Sequence, residues 1–209
     1  MMLDLPPSLT SNFEEWRAWV TGAGLQPVIL IAGSRGKTTV ALLLDAMLRR
    51  AGLSVAVWTN DGVDIDGIRQ KGELVPWQAV ENGLENGTND IAIREVDWPT
   101  AATLATGPRA PMLAVTNVCQ NREDCIAAGD AQPADAAMPA LLTTVVGKGW
   151  LVLNGEDLAV SAALTGTDHN RLLVTMGLES PAIEEHLQSS GNLAWLAGDR
   201  IVIAVHGRT

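Results

Sequence analysis

The sequence predicts an α/β fold with an open, mainly parallel sheet, a P-loop-type strand–loop–helix unit and a C-terminal antiparallel hairpin. Three observations support this fold class. Short apolar runs alternate with helical or loop segments, one run continues into a glycine-containing loop and a helix, and two strand-like arms flank Gly198 near the end. Successive parallel strands require such crossover segments, whereas arms joined by a tight turn pair antiparallel.

The composition limits the classes of protein to consider. Apolar residues make up 47% of the 209 residues, which is enough to bury a sizeable core. The net charge of −10 disfavours nucleic acid as a partner, because an acidic surface repels phosphate backbones. No apolar run is long enough for a membrane span, and the N-terminus lacks the features of a signal peptide. We therefore expect a cytoplasmic protein.

Residues 1–26 are predicted to form a helical lead-in to a single domain that covers residues 27–209. Ser11 or Asn12 can cap the lead-in helix, and Gly22 can end it. Apolar residues recur every three to four positions, which is typical of one helix face. This face is formed by Phe13, Trp16, Trp19 and Val20.

The domain begins with a predicted βαβ unit. Pro27 to Ala32 is a continuous apolar run rich in branched residues, as in a strand that is buried on both faces. Thr38 to Arg50 has helical spacing, and its two C-terminal arginines suit the end of a helix. Leu53 to Thr59 predicts the second strand, so the glycine-containing loop lies at the first turn of the unit.

The remaining segments extend this alternating pattern. The turn-rich stretch from Asp61 to Leu74 predicts a small hairpin. A helix is predicted from Asp135 to Val146, and Pro139 is expected to break or to start it. The other predicted elements are a helix over Trp77–Gly87, strands over Ile91–Val96, Pro111–Val118, Gly149–Asp157 and Arg171–Gly177, and hairpin arms over Leu193–Ala197 and Arg200–Val205.

The loop of the βαβ unit reads Gly-Ser-Arg-Gly-Lys-Thr, from Gly33 to Thr38. It is shorter than the standard phosphate-binding loop G-x-x-x-x-G-K-S/T, whose first glycine would fall on Ile31. The physical requirements are still met, because glycines allow a close backbone approach and a helix start attracts anions. Lys37 can reach terminal phosphates, and the Thr38 hydroxyl can join the shell of a Mg²⁺ ion. The alternative is a structural turn with an exposed lysine.

Polar residues follow four consecutive predicted strands. The carboxyl ends of parallel strands form the ligand crevice of an α/β sheet, so we expect these residues to lie near the loop. Each of them alone is more typical of a turn or a helix cap. The four groups are Thr59, Asn60 and Asp61; Glu95 and Asp97; Thr116 and Asn117; and Asn154, Glu156 and Asp157.

These motifs, in this order, resemble the central ATP-binding domain of the Mur ligase family, which includes folylpolyglutamate synthetase and cyanophycin synthetase. The family loop G-T/S-x-G-K-T/S matches residues 33–38. Arg35 at its third position most resembles the poly-γ-glutamate (capsule) synthase ligase subunit. Shorter matches are a strand that ends in glutamate, a Thr-Asn strand end and an Asn-x-Asp-Asp motif, which correspond to Glu95, to Thr116 and Asn117, and to the segment from Asn154 to Asp157.

The resemblance implies an ATP- and Mg²⁺-dependent ligase that joins an unidentified carboxylate to an amine through an acyl phosphate. Lys37, Glu95 and Arg122 would be its catalytic residues, and Thr38 and Glu95 would hold the metal. Asn154 would contact the adenine. The residues implied in binding ATP are Gly33, Ser34, Arg35, Gly36, Lys37, Thr38, Thr39, Asn117 and Asn154.

Departures from the family pattern favour an alternative function. The family places Asp-His shortly after Thr-Asn, whereas Asn121-Arg122 or Asp124-Cys125 takes that place here, so that Arg122 would supply positive charge instead of a metal. The helix before Asn154 also lacks the lysine that many members carry. The alternative is a nucleotide-binding module that does not ligate and acts in ATP hydrolysis, assembly or regulation.

Three further hypotheses concern the surroundings of the site. Since no C-terminal ligase domain is expected in these 209 residues, a partner chain or domain that completes the ligase, or a homo-oligomer, stays open. A P-loop kinase or switch ATPase is disfavoured, because the 14 basic residues are spread thinly and form no arginine-rich lid. Trp98 is the tryptophan to test for stacking on a nucleotide, although packing is the simpler role.

Overall fold

The computed structural model describes residues 13–70, 77–104, 109–118, 131–157, 160, 170–178, 181–188 and 191–205. Within these ranges the helices are α1 (Phe13–Gly22), α2 (Lys37–Arg50), α3 (Trp77–Glu85), α4 (Trp98–Leu104), α5 (Ala131–Thr143) and α6 (Pro181–Gln188). The strands are β1 (Val28–Ala32), β2 (Val55–Thr59), β3 (Gly62–Ile65), β4 (Ile68–Arg69), β5 (Ile91–Val96), β6 (Ala110–Val115), β7 (Val145–Asn154), β8 (Asn170–Thr175), β9 (Asn192–Ala197) and β10 (Arg200–Ala204).

These strands form one sheet in the order β10-β9-β8-β7-β6-β1-β5-β2-β3-β4. Each neighbouring pair from β9 to β2 is parallel. At one edge β10 pairs antiparallel with β9, and at the other edge β3 and β4 continue antiparallel from β2. The predicted α/β class is therefore confirmed, with its mainly parallel sheet and its C-terminal hairpin.

The strand order places the functional end of the sheet. The chain runs from β1 outward to β2 on one side, and from β6 outward to β9 on the other. The direction of winding therefore reverses between β1 and β6. An open α/β sheet forms its ligand crevice at the carboxyl ends of the strands beside such a switch point. All five residues of β1 are buried, as its continuous apolar sequence predicts.

Helices pack on both faces of the sheet. On one face, Ala41 of α2 packs against Ile29 and Ile31 of β1, and Phe13 and Trp16 of α1 join the same cluster. On the other face, α3, α4 and α5 contribute to a larger cluster. The helix of the lead-in thus packs against the sheet, while the boundary after residue 26 stays a prediction. Among the helices described, none is long and apolar enough to cross a membrane.

Local structure departs from the sequence-based expectation at three places. The helices α4 and α6 lie where no element is predicted, because seven or eight residues are too few to show a helical period. Helix α5 starts at Ala131, ends at Thr143 and contains Pro139, so the predicted bounds are wrong at both ends. Burial of Met138 and Leu141 offsets the backbone hydrogen bond that this proline cannot donate. Val145 begins β7 instead of extending the helix.

Candidate functional site

The two glycines of the loop between β1 and α2 serve different purposes. Gly33 has a φ of 141° and lies so close to β6 that a Cβ there would collide with the Thr116 hydroxyl oxygen. Gly36 has a φ of 80° and precedes α2 in the left-handed conformation, with open space where a Cβ would project. Position 33 therefore needs glycine for close packing, and position 36 needs it for backbone conformation.

The first half of the loop is held by the end of β6. The Arg35 N–H donates to Asn117 Oδ1 at 3.2 Å, and Asn117 Nδ2 donates to the Arg35 carbonyl at 3.3 Å. The Ser34 N–H donates to the Asn117 carbonyl at 3.1 Å. The Thr116 hydroxyl donates to the Arg35 carbonyl at 2.7 Å. These bonds fix the backbone path across the switch point, while the Arg35 residue itself is exposed.

Ser34 connects the loop to two further elements. Its hydroxyl donates to the Val118 carbonyl at 2.8 Å, and the indole N–H of Trp98 donates to the Ser34 oxygen at 3.1 Å. Trp98 is buried against the core cluster beneath the loop. Because a buried ring offers no free face, Trp98 supports the loop and is not a stacking surface for a nucleotide.

The second half of the loop brings three candidate site residues together. The Lys37 ammonium lies 3.6 Å from Glu95 Oε1, and the Thr38 hydroxyl donates to Glu95 Oε2 at 2.9 Å. The Asn60 N–H also faces Glu95 Oε2, at 3.3 Å. The register of β1 with β5 pairs Ile31 with Glu95, which places the carboxylate on the face that carries α2. The Lys37 and Glu95 side chains are only 11% and 2% exposed.

The start of α2 adds backbone donors to this cluster. Gly36 is the N-cap and provides no side-chain hydrogen bond. The first N–H groups of an α-helix have no partner within the helix, and the helix dipole makes that end positive. An ammonium, a helix start and a hydroxyl therefore meet at one point, which is the arrangement that binds a phosphate. Thr39 lies exposed in the first turn.

The donor set at this point fits a Mg²⁺ ion. The Thr38 hydroxyl and the Glu95 carboxylate are hard oxygen donors of the kind that Mg²⁺ takes, and they lie side by side at the start of α2, joined by a hydrogen bond of 2.9 Å. Magnesium in nucleotide sites completes its shell with water and phosphate oxygens, so two protein oxygens are sufficient. No cluster of three or more His, Cys, Asp or Glu ligands occurs in the described part of the chain.

The polar groups at the ends of β6, β7 and β8 connect these strands. Asn154 Nδ2 donates to the Thr116 carbonyl at 2.9 Å, and Asn154 Oδ1 accepts from the Glu156 N–H at 3.0 Å. The Glu156 carboxylate accepts from the Met176 N–H at 2.7 Å. Asp157 accepts from the Val118 N–H at 2.7 Å. The adenine contact of Asn154 stays a prediction beside this structural role.

The other sequence candidates separate into two groups. Arg122 lies outside the described residues. Asp97 is a helix cap, since its carboxylate accepts from the Thr100 N–H at 2.8 Å at the start of α4. The structure thus brings Lys37, Thr38 and Glu95 together. The Asp97 side chain instead accepts a hydrogen bond from the backbone of α4.

An arginine that no sequence motif indicates lies on the opposite face of β5. Arg94 packs against the rings of Trp58 and Trp77, with its guanidinium carbon 5.8 and 4.7 Å from the two ring centroids. Burial lowers the pKa of this guanidinium below its ordinary value. By contrast, hydrogen bonds to Asp45 and Asp64 raise the pKa values of Arg49 and Arg69.

The chain is similar to known proteins in both sequence and structure. No protein-family model matches the chain. The chain is 29% identical over 175 residues to cyanophycin synthetase of Nostoc sp. strain PCC 7120, and this alignment covers 81% of the chain and 19% of that protein. It is 32% identical over 171 residues to UDP-N-acetylmuramoylalanine–D-glutamate ligase of Nitrosococcus oceani, covering 81% and 32%. The chain therefore spans about a fifth and about a third of these two relatives.

Solved structures share the fold. A UDP-N-acetylmuramoyl-L-alanyl-D-glutamate–2,6-diaminopimelate ligase superposes with a TM-score of 0.59 at 14% identity, over 91% of this chain and 39% of that one. Bifunctional folylpolyglutamate synthase/dihydrofolate synthase of Yersinia pestis, complexed with AMPPNP and Mn, superposes with a TM-score of 0.53 at 14% identity, over 97% and 53%. These structures show a shared fold, and together with the two sequence relatives they support a Mur ligase-like domain.

Proposed function

We propose that this chain is the ATP-binding part of an ATP-dependent carboxylate–amine ligase. The observation that carries the proposal is the convergence of Lys37, Thr38 and Glu95 at the start of α2. The two sequence relatives described above are named a synthetase and a ligase. The structural neighbour that contains AMPPNP and Mn supports a nucleotide and a divalent cation as ligands of this fold. We propose ATP and Mg²⁺ for this chain.

The proposed reaction has two balanced steps. A substrate carboxylate oxygen bonds to the γ-phosphorus of ATP while the bond from that phosphorus to the bridging oxygen breaks, which releases ADP and leaves an acyl phosphate. An amine nitrogen then bonds to the acyl carbon, phosphate leaves with the C–O electron pair, and the nitrogen loses a proton. Lys37 and the first N–H groups of α2 would neutralise charge on the transferred phosphoryl group. Thr38 and Glu95 would hold Mg²⁺, which supplies further positive charge there.

The identity of the substrates is a finer proposal. Arg35 supports the poly-γ-glutamate branch, whereas the sequence relatives include cyanophycin synthetase. We propose an acidic acceptor, because the exposed Arg35 lies in the loop beside the site and can pair with a carboxylate. We further propose that the reaction takes place in the cytoplasm, and that a partner chain or domain completes the ligase. A panel of glutamate and aspartate oligomers, scored by mass spectrometry for an added residue, tests the acceptor.

Replacement of Lys37 tests the nucleotide site. In Lys37→Ala, ATP affinity measured by calorimetry with Mg²⁺ should fall about a hundredfold, because a charge-assisted phosphate contact is lost. The ATP-induced rise in Tm should disappear as well. Arg50→Ala removes an exposed cation from the other end of the same helix and is the matched control, with ATP affinity unchanged. Equal ATP affinity in Lys37→Ala and the wild type would remove the basis of the assignment.

A nucleotide-binding module that does not ligate is the second candidate function. The stretch after Asn117 favours it, because it lacks the Asp-His of the family pattern. The two functions separate in one assay that follows ATP binding, phosphate release and amide product on the same substrate panel. Amide formation would exclude the second candidate, whereas ATP binding without product across the panel would favour it.

A further inference from the structure

Arg94 places a cation on an otherwise apolar face of the sheet. It pairs with Leu30 of β1 and directly precedes Glu95, so the guanidinium and the Glu95 carboxylate lie on opposite faces of β5. The face with Arg94 carries the larger apolar cluster, which includes Leu30 and against which Trp58 and Trp77 pack. A charged group in such surroundings is stable only when hydrogen-bond acceptors or an opposite charge accompany it.

Within the described part of the chain, the N–H groups of this guanidinium have no acceptor. Arg94 takes part in none of the ion pairs and none of the hydrogen bonds there. Glu81 attracts it through space, but the Glu81 carboxylate accepts from the Trp77 indole N–H at 2.8 Å. The rings of Trp58 and Trp77 interact with the positive charge, whereas the five N–H donors need lone pairs that these rings do not offer.

A small cavity adjoins Arg94. Val28 and Leu104 belong to its apolar wall, and Gln26 and Arg109 add polar groups. None of the described residues that line it is acidic. The amide oxygen of Gln26 is buried and has no hydrogen-bond partner among the described residues. The cavity therefore combines an excess of positive charge with hydrogen-bonding groups that are not yet used.

This cavity is separate from the candidate nucleotide site. Gln26 and Arg109 come just before β1 and β6, so they mark the amino-terminal end of these parallel strands. The glycine loop begins with Gly33, at the carboxyl end of β1. The cavity also lies on the face opposite to α2, because Arg94 and Glu95 point to different sides of β5. A ligand of the cavity is therefore a different molecule from the nucleotide.

From these observations we propose that the cavity binds a small carboxylate, with its two oxygens on the guanidinium of Arg94 and its remaining atoms toward Arg109. The planar fork of a guanidinium matches the two coplanar oxygens of a carboxylate. The cavity volume is about 20 Å³, and one water needs about 10–15 Å³ on the same scale, so a carboxylate group fits and a nucleotide does not. Arg109 is exposed and adds a second positive charge at the open side.

Calorimetry with sodium acetate tests the proposal on the full chain, with sodium chloride keeping the ionic strength constant. We expect saturable binding of one acetate per chain, with a Kd of about 1–10 mM for a single bidentate pair. Sodium sulfate should bind about tenfold more weakly, because a tetrahedral anion does not match the planar fork in a cavity of this size.

Two replacements of Arg94 separate charge from geometry. Arg94→Met keeps an apolar side chain beside the two tryptophan rings and should weaken acetate binding about tenfold or more. Arg94→Lys keeps the charge but loses the fork, so acetate affinity should fall about threefold. Circular dichroism and thermal unfolding establish that each variant is folded before its affinity is compared with that of the wild type.

Replacements of exposed arginines extend the test without altering the core. Arg109→Gln should weaken acetate binding about twofold while ATP affinity stays unchanged, which separates this cavity from the nucleotide site. Arg200→Met is the matched control, because Arg200 is an exposed arginine at the start of β10, at the far edge of the sheet, and acetate affinity should not change there. If Arg94→Met fails to fold, Arg94→Lys and Arg109→Gln decide the outcome.

Three results would overturn the proposal. One is the absence of saturable acetate binding by the wild type below about 100 mM. Another is equal acetate affinity in the wild type and in folded Arg94→Met, and a third is tighter binding of sulfate than of acetate. Glu73→Gln, at a position outside the described residues, completes the set. Acetate binding by this variant but not by the wild type would assign the cavity to a carboxylate of the chain itself, and so would also overturn the proposal.

Discussion

The two halves of the glycine loop are held in different ways. From Gly33 to Arg35, backbone and side-chain groups are bonded to the end of β6, with Asn117 accepting and donating. From Gly36 to Thr38, the side chains turn instead to Glu95 on β5, and the helix start has no side-chain cap. The first half therefore determines where the loop lies, and the second half carries the groups that could bind a phosphate. Substitutions in the first half should act mainly on stability, and substitutions in the second half mainly on nucleotide binding.

The largest stability effect is expected at Gly33. In Gly33→Ala the new Cβ meets the Thr116 hydroxyl and the Asn117 backbone at a φ of 141°. Overpacking and backbone strain together should lower the free energy of unfolding by about 3–5 kcal/mol. Denaturant unfolding measures this loss. Gly24→Ala is the control, because its φ is 69° with nothing within 4 Å of the Cβ, and about 1–2 kcal/mol is expected there. Equal losses in the two variants would contradict the close packing of the loop on β6.

A smaller loss of stability is expected at Asn117, whose side chain holds the first half of the loop. Asn117→Ala removes two hydrogen bonds to Arg35, so stability should fall by about 1–3 kcal/mol. ATP affinity should fall about tenfold as the loop path loosens. Asn86→Ala, which also removes two bonds, lies in the turn to Thr88 away from the loop and should leave ATP affinity unchanged. Calorimetry on both variants decides whether Asn117 positions the loop.

The smallest effect is expected at Trp98. In Trp98→Phe the hydrogen bond to Ser34 is lost while most of the buried ring area is kept, so stability should fall by about 0.5–1.5 kcal/mol. ATP affinity should change less than twofold, because Ser34 keeps its bond to the Val118 carbonyl. Trp77→Phe removes an indole bond to Glu81 in α3 and provides the comparison for a tryptophan remote from the loop. A large loss of ATP affinity in Trp98→Phe would mean that its ring contacts the nucleotide.

The elements with strong local signals were predictable, and those whose signals conflicted were not. β1 and α2 follow from an apolar run, two glycines and a long periodic stretch. The strand Ile91–Val96 was predicted with its observed bounds, since its apolar residues are continuous. The start of α4 was missed although Asp97 caps it, because an acidic residue after a strand also suits a ligand site.

Within the candidate site, the sequence indicates residue types but not the direction of each side chain. Lys37, Thr38 and Glu95 meet because β1 and β5 are in register, which sequence spacing alone does not specify. Ser34 and Asn117 are predicted to bind ATP, yet their side chains bond protein groups in the structure. The ATP contacts of these two residues stay a prediction beside this structural role.

The pairing of Lys37 with Glu95 has a consequence for selectivity. A phosphate that approaches Lys37 must compete with the carboxylate and is repelled by it at short range. Free phosphate should therefore gain little at this site. In the proposed site, a divalent cation that accompanies the nucleotide would be held by Glu95, and Lys37 would then be free to pair with the phosphate. If the proposed site is correct, Glu95 would favour anions that carry a divalent cation over anions that bind alone.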